Sequence, residues 1–208
     1  MATIDSGLRD IAEIRSIMER STKFISLSGF SGIGAGTVAL VGAWMAGSLL
    51  RTDGIAITSS VTSADLQPAT RLGLLLLGLA ILVCALGVAW FFSRRVMQRH
   101  AEPVHGPVMR HLVLSLAVPV LVGAIMTLLL FFHAPLWTIV PSMLLFYGLG
   151  IFGAGSFTFG EIRTLGMIEI LLGLLAALLP EHGLVLWATG FGGVHILYGV
   201  LLFRKYRQ

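Results

Sequence analysis

Charged residues are scarce in this chain. Asp, Glu, Lys and Arg make up 12% of its 208 residues, and apolar residues make up 56%, whereas soluble domains carry about 25% charged residues. The mean hydropathy is +0.92. These proportions exclude a soluble globular enzyme, and they exclude intrinsic disorder, which requires low hydrophobicity and high charge. We therefore predict an all-α, polytopic membrane protein.

The chain contains no asparagine and almost no cysteine. Without asparagine there is no N-glycosylation sequon, and the single cysteine, Cys84, cannot form a disulfide within the chain. The motifs G-x-S-x-G, H-E-x-x-H, C-x-x-C and Walker A do not occur. We therefore predict no catalytic residue, no cofactor and no bound metal, and we favour a protein that is not an enzyme.

Long apolar runs are what the chain does have. A helix crosses the hydrocarbon core of a bilayer with roughly 20 apolar residues. We predict six transmembrane helices, at 24–50, 72–93, 112–132, 136–157, 162–179 and 184–203. The fifth is the most polar of them because Glu169 lies inside it. Together they form one domain, 24–203, which follows a cytoplasmic segment, 1–23, and precedes a basic cytoplasmic tail, 204–208.

The lysine and arginine residues are distributed unevenly between the two ends of these helices. Twelve of the 14 fall on one side of the predicted membrane, and only Arg51 and Arg71 fall on the other. Because cytoplasmic loops carry the excess of positive charge, both termini are predicted to be cytoplasmic, in the inner membrane of a bacterium. Six basic residues on this side are expected to contact anionic lipid headgroups rather than nucleic acid: Arg94, Arg95, Arg99, Arg110, Arg204 and Lys205.

The N-terminal segment has the periodicity of an amphipathic helix. Leu8, Ile11, Ile14 and Met18 recur at spacings of three and four, which places them on one helix face. Two interpretations fit equally well. The segment is either a short amphipathic helix on the cytoplasmic surface of the membrane or a straight extension of the first transmembrane helix.

Glycine is abundant, with 25 of the 208 residues, or about 12% against a usual level near 7%. Small residues recur every three or four positions in three helices, and such stripes let helix backbones approach closely. These helix-packing residues are Ser28, Gly32 and Gly36 in the first helix, Gly166 and Gly173 in the fifth, and Gly192 and Gly199 in the sixth. The first stripe indicates a dimer interface or packing within the bundle, and we favour the second. The other two stripes are predicted to face each other or a shared third helix.

Two ionisable residues lie deep inside the predicted helices, Glu169 in the fifth and His195 in the sixth. The turn between these helices is centred between residues 181 and 182, so Glu169 lies 12.5 residues before the centre and His195 lies 13.5 residues after it. Residues equidistant from the turn of an antiparallel pair share a height, and one residue of mismatch is only about 1.5 Å. We therefore predict a Glu169–His195 pair, to which Tyr198 can add a hydroxyl.

Two roles compete for this pair. Histidine titrates near neutral pH, and an ionisable residue inside a membrane is functional by default, which favours a proton or ion relay over a polar clasp. The first hypothesis is thus a small proton- or ion-coupled transporter or channel. The alternative is a non-transporting membrane module that binds or regulates a partner, either a second copy of the chain or another membrane protein. An intramembrane enzyme is ranked last, because no nucleophile accompanies the pair.

Overall fold

The computed structural model of the protein describes residues 29–54, 61–100, 107–157 and 160–206. Helices account for 94% of these residues, and no strand occurs among them. The prediction of an all-α protein is therefore confirmed for the described part of the chain. The predicted amphipathic segment 1–23 and the packing residue Ser28 lie outside the described residues.

Long apolar runs form the helices, and prolines begin two of them, since the first turn of a helix does not need the backbone N–H that proline lacks. The last run is one uninterrupted helical segment, Gly183–Tyr206, named the C-terminal helix here. The elements are α1 (Gly29–Thr52), α2 (Pro68–His100), α3 (Pro107–His133), α4 (Ile139–Ala154), α5 (Gly160–Leu178), α6 (Gly183–Trp187), a π-helical segment (Ala188–Val194) and α7 (His195–Tyr206).

Five helical segments are long and apolar enough to cross a membrane, and the chain is accordingly a membrane protein. They are Gly29–Thr52, Pro68–Phe92, Arg110–His133, Leu136–Ala154 and Pro180–Lys205. The predicted fifth crossing, α5, is not among them, because its 19 residues include three charged ones, Glu161, Arg163 and Glu169. The helix itself is present, whereas its crossing of the membrane, and with it the count of six, stays a prediction.

The helices pack as two groups that meet along the C-terminal helix. In one group α1 lies between α2 and the C-terminal helix, and in the other α4 lies between α3 and α5. The C-terminal helix contacts α5 through α6 and the π-helical segment, and it contacts α4 through α6. The centre of the bundle is therefore the region where α4, α5 and the C-terminal helix converge.

Glycines let α1 lie directly against the C-terminal helix. A Cβ added to Gly36 would lie 2.7 Å from the carbonyl oxygen of Gly192, and one added to Gly199 would lie 2.5 Å from that of Gly29. Gly32 lies against the same helix, at 3.0 Å from the carbonyl oxygen of His195. The small residues of α1 thus pack inside the bundle, because no side chain separates the two backbones.

The stripe of small residues in α5 contacts a different helix. Gly166 lies against the backbone of α4 at Gly148 and Phe152, and Gly173 lies against Leu145. The glycines of the two stripes therefore do not face each other or a shared helix as predicted, since those of α5 face α4 and those of the C-terminal helix face α1. The physical reason is that α4 presents its own glycine, Gly148, where α5 passes closest. Glu169 and His195, which belong to the same stripes, do face each other.

Residues 61–67, the described segment directly before α2, lie over one end of the bundle. The backbone N–H and the hydroxyl of Thr62 donate hydrogen bonds to Asp65 Oδ2, at 2.7 and 2.8 Å, and these bonds hold the pKa of the Asp65 carboxyl below its usual value. The N–H of Gln67 donates to Asp53 Oδ2 at 3.0 Å. At this end of the bundle Leu50, Leu66, Phe131 and Leu136 form a buried cluster, which joins α1 to the α3–α4 connection.

Basic side chains line the opposite end of the bundle. Arg94 and Arg95 are exposed, and their guanidinium groups lie 4.6 Å and 4.3 Å from the ring centres of Trp90 and Phe91. Of the other predicted headgroup contacts, Arg99 lies in the last turn of α2, and Arg110 and Arg204 are exposed. Lys205 instead forms an ion pair with Glu161 of α5. Because α7 runs to Tyr206, Arg204 and Lys205 lie in its last turn and not in a separate tail as predicted.

Candidate functional site

The structure brings Glu169 and His195 together in the middle of the bundle. Glu169 lies midway along α5 and has no exposed surface, and His195 is the first residue of α7 and is 7% exposed. The distance from His195 Nδ1 to Glu169 Oε1 is 3.3 Å. The two residues therefore share a height, as expected for positions equidistant from one short turn.

Both ring nitrogens of His195 have hydrogen-bond partners. Nδ1 lies 2.9 Å from the carbonyl oxygen of Gly190, and Nε2 lies 2.8 Å from the hydroxyl of Tyr147. A carbonyl oxygen only accepts, so Nδ1 carries a hydrogen and donates it to Gly190. In a neutral imidazole Nε2 is then the acceptor and the Tyr147 hydroxyl is the donor. This arrangement assigns the tautomer of the ring.

The Glu169 carboxyl has no such partners. Both of its oxygens are buried, and neither has a hydrogen-bond donor among the residues that the structure describes. The Gly190 backbone and Leu144 enclose it on one side, where a Cβ added to Gly190 would lie 2.5 Å from Oε2 and 2.8 Å from Leu144 Cδ2. A buried ionised carboxylate without donors is strongly unfavourable in an apolar environment. Contact with the neighbouring imidazole and protonation of the carboxyl are therefore the two ways in which the cost of burying this group can be lowered.

The π-helical segment gives the site its shape. It has the sequence ATGFGGV, with glycines at 190, 192 and 193, and it directly precedes His195. The wider winding brings the Gly190 carbonyl, five residues before His195, within hydrogen-bond distance of the imidazole. Single turns of π-helix inside α-helices occur frequently at functional sites.

Aromatic rings cover the pair on the side of the α5–α6 turn. Phe191 lies between Trp187 and His195, with ring-centre distances of 5.1 Å and 6.1 Å, and it lies 4.9 Å from Tyr147. On the other side Ile151, Ile162 and Leu165 form a buried apolar cluster. Packed apolar or aromatic side chains therefore flank the pair in both directions along the bundle axis.

Two residues of the site, Tyr147 and Gly190, were not predicted from the sequence. The structure assigns the hydroxyl beside His195 to Tyr147, whereas Tyr198 packs against the cluster of Ile151, Ile162 and Leu165. A signal for Tyr147 does exist, because it is the single tyrosine in the fourth apolar run. The role of Gly190 has no such signal, since it depends on the π-helical winding.

The chain has no match among known proteins in three comparisons. No family model matches it, no curated protein matches it, and no solved structure matches it. The function is therefore inferred from the geometry of the Glu169–His195 site and from the membrane helices that hold it.

Proposed function

We propose that this protein is a small proton-coupled transporter or channel in which Glu169, His195 and Tyr147 form the proton relay. The observation that carries the proposal is the Glu169 carboxyl, which is fully buried without a hydrogen-bond donor 3.3 Å from an imidazole. A polar clasp between membrane helices contributes only about 0.6 kcal/mol on average. So small a gain does not offset the burial of a carboxyl group, which favours a functional role.

The hydrogen-bond chain allows a proton to pass through the imidazole. A proton that reaches the Tyr147 hydroxyl is passed on to Nε2 of His195, across 2.8 Å, because the hydroxyl hands over its own hydrogen as it takes the incoming one and stays neutral. The imidazolium then gives the proton on Nδ1 to the Glu169 carboxylate, whose Oε1 is 3.3 Å away. The incoming proton is supplied by water, and the ring returns to its starting tautomer by rotation. Histidine suits this step because it takes up and releases protons near neutral pH.

The composition of the site favours a proton over a larger polar substrate. Its polar groups are one carboxyl, one imidazole, one phenol and one backbone carbonyl. Among the residues that the structure describes, no three His, Cys, Asp or Glu side chains are grouped in a way that suits a metal ion. Sugars and amino acids need several convergent polar groups, which this lining does not offer.

The packing supports six crossings with both termini in the cytoplasm. Gly155 lies against Arg163, Gly148 against Gly166, and Leu145 against Gly173, so α5 runs back along α4 from its C-terminal end to Leu145. If α4 crosses the membrane, α5 then returns through it. With twelve of 14 basic residues on one side, we place that side in the bacterial cytoplasm, where its arginines contact anionic lipid.

This topology predicts that Glu181, in the α5–α6 turn, faces the outside of the cell. Glu181 is exposed, so the variant Glu181→Cys in a Cys84→Ser background is expected to react with a membrane-impermeant thiol reagent added to intact cells. The matched variant Arg163→Cys, at the other end of α5, is expected to react only after the membrane is permeabilised. Labelling of both positions from the same side would contradict the crossing of α5.

The relay predicts that the protein dissipates a pH gradient and that Glu169→Gln does not. Purified protein in liposomes is expected to accelerate the decay of an imposed pH gradient. Glu169→Gln is expected to decay at the rate of protein-free liposomes, because an amide of the same size cannot accept and release a proton at neutral pH. The control is Glu161→Gln, which removes a carboxylate from the same helix at its ion pair with Lys205 and is expected to conduct like the wild type.

Equal decay in wild-type and protein-free liposomes would contradict simple proton conduction. If a panel of co-substrates also failed to produce coupled flux, the proposal of a transporter would be wrong. The non-transporting module would then be favoured, with a second copy of the chain or another membrane protein as its partner. The outward faces of α2 and α3 are the surfaces on which such a partner would pack, because few of their residues are buried within this chain.

A further inference from the structure

We propose that Gly190 is the positioning residue of the relay, and that its carbonyl and the Glu169 carboxylate compete for one hydrogen, the Nδ1–H of His195. This inference rests on the proposed function and deepens it by stating how the protonation of Glu169 changes the backbone. With Glu169 protonated, Nδ1–H bonds the carbonyl of Gly190. With Glu169 ionised, Nδ1–H turns to the carboxylate and releases the carbonyl.

The distances describe the first of these two arrangements. Nδ1 lies 2.9 Å from the Gly190 oxygen and 3.3 Å from Glu169 Oε1, and the carboxyl oxygens have no hydrogen bond. An ionised carboxylate is a stronger acceptor than a carbonyl. The shorter distance to the carbonyl therefore corresponds to the arrangement that the proposal assigns to a protonated Glu169.

Only glycine at position 190 permits this competition. A Cβ there would lie 2.5 Å from Glu169 Oε2 and 2.8 Å from Leu144 Cδ2, so any side chain pushes the carboxyl away from the imidazole. Gly193, in the same π-helical segment, is the opposite case, since a Cβ added there meets nothing within 4 Å. Alanine substitutions at the two glycines therefore distinguish a requirement for space beside the Glu169–His195 pair from the general effect of a methyl group on the π-helical segment.

The Gly190 carbonyl, once His195 no longer bonds it, connects the protonation of Glu169 to the hydrogen-bond spacing of the C-terminal helix. The Gly190 carbonyl belongs to the π-helical segment, and a π-helical turn is held by a wider hydrogen-bond spacing than an α-helical one. When His195 leaves it, this carbonyl becomes available to a backbone N–H in α-helical spacing. Loss of the proton from Glu169 to water is thereby coupled to a change in the helix that lies against α1 at Gly36.

The surroundings of the pair contain few other groups that titrate. Tyr147 faces the imidazole from α4, and Tyr198 lies one turn further along α7. From α1, the residues against the π-helical segment are Gly36 and Leu40, which are neutral. Among the described residues named here around Glu169, the other titratable groups are therefore the imidazole of His195 and the two tyrosine hydroxyls.

The test follows the two groups separately while pH is raised. Infrared spectroscopy of the protein in lipid reports the carbonyl stretch of the protonated carboxyl, and nitrogen NMR reports the hydrogen-bond state of His195 Nδ1. In the wild type, the carboxyl band and the Nδ1 signal are expected to change together. In Gly190→Ala the Nδ1 signal is expected to lose this dependence on the carboxyl, whereas Gly193→Ala is expected to retain it. Retention in Gly190→Ala would overturn the proposal.

A second variant keeps the proposal testable if Gly190→Ala does not fold. In Glu169→Gln there is no carboxylate to compete, so the Nδ1 signal is expected to stay in its carbonyl-bonded state at every pH. An Nδ1 signal that changes with pH as in the wild type would overturn the proposal. These titrations do not measure flux, so the two proposals can fail separately. If the carboxyl band and the Nδ1 signal change together but no pH gradient decays, only the transport function is contradicted. If the gradient decays but the two signals do not change together, only the positioning role of Gly190 is contradicted.

Discussion

Replacement of Gly166 by alanine is expected to be strongly destabilising, by about 3 kcal/mol or more, at the upper end of the usual cost of overpacking. A Cβ at this position would lie 2.8 Å from both the Gly148 carbonyl oxygen and the Cα of Phe152. These atoms belong to the backbone of α4, which cannot rotate away as a flexible side chain can. The two helices must separate, and Glu169 lies only three residues further along α5. Thermal unfolding in detergent micelles, followed by circular dichroism, measures the effect.

The matched control for this prediction is Gly87→Ala in α2. A Cβ added to Gly87 meets nothing within 4 Å, so the change alters only the helix propensity, which favours alanine by about 1 kcal/mol or less. We expect the apparent Tm of this variant to equal or slightly exceed that of the wild type. A similar decrease in Tm in both variants would show that these glycines are required for backbone flexibility and not for close helix packing.

Removal of the imidazole is expected to have the second largest effect on stability. In His195→Leu the Tyr147 hydroxyl and the Gly190 carbonyl both lose their hydrogen-bond partner. A buried polar group left without a partner costs about 1–3 kcal/mol, so the loss for the two groups is expected to reach several kcal/mol. The same unfolding measurement applies, with proton flux in liposomes as a second readout.

A double-mutant cycle separates the hydrogen bond from the general loss of packing. Tyr147→Phe removes the hydroxyl, and in the His195→Leu background this change is expected to be nearly neutral, because the hydroxyl is already without its partner. The coupling energy between the two positions is expected to lie within about 0.5–3 kcal/mol. The cycle of His195→Leu with Gly87→Ala, on a separate helix, serves as the additive control. Additive losses for Tyr147→Phe and His195→Leu would rule out the hydrogen bond as a stabilising contact.

The helix contacts and the relay form one connected arrangement in the bundle. The α4–α5 contact at Gly166 sets the position of Glu169, and the α1 contact at Gly36 supports the π-helical segment that carries Gly190. The relay itself consists of side chains from three elements, α4, α5 and α7. A change in helix packing is therefore expected to alter proton transfer even where it does not touch the relay, because the transfer distances depend on how the helices are placed.

Most of the helical structure could be predicted from the sequence, because helices in a membrane must satisfy their own backbone hydrogen bonds. The predicted fourth run, 136–157, corresponds to α4 with a short 3₁₀ turn at each end. The predicted fifth, 162–179, corresponds to α5 within two residues at each end. The largest difference in this half of the chain is at α7, which continues through the basic residues to Tyr206, since a helix end near headgroups accommodates Arg and Lys well.

The sequence by itself determined the position of groups along the helix axes. Glu169 and His195 share a height because one short turn separates two antiparallel helices and the two residues lie nearly the same number of positions from it. The tertiary structure decided rotation about those axes and the choice of neighbours: α5 turns its glycines to α4, the C-terminal helix turns its own to α1, and Tyr147 reaches His195 across 48 positions of the chain. These features depend on how all the helices pack together, because no local sequence pattern specifies which helix a given face will contact. The π-helical winding that brings Gly190 to the pair depends on this packing too.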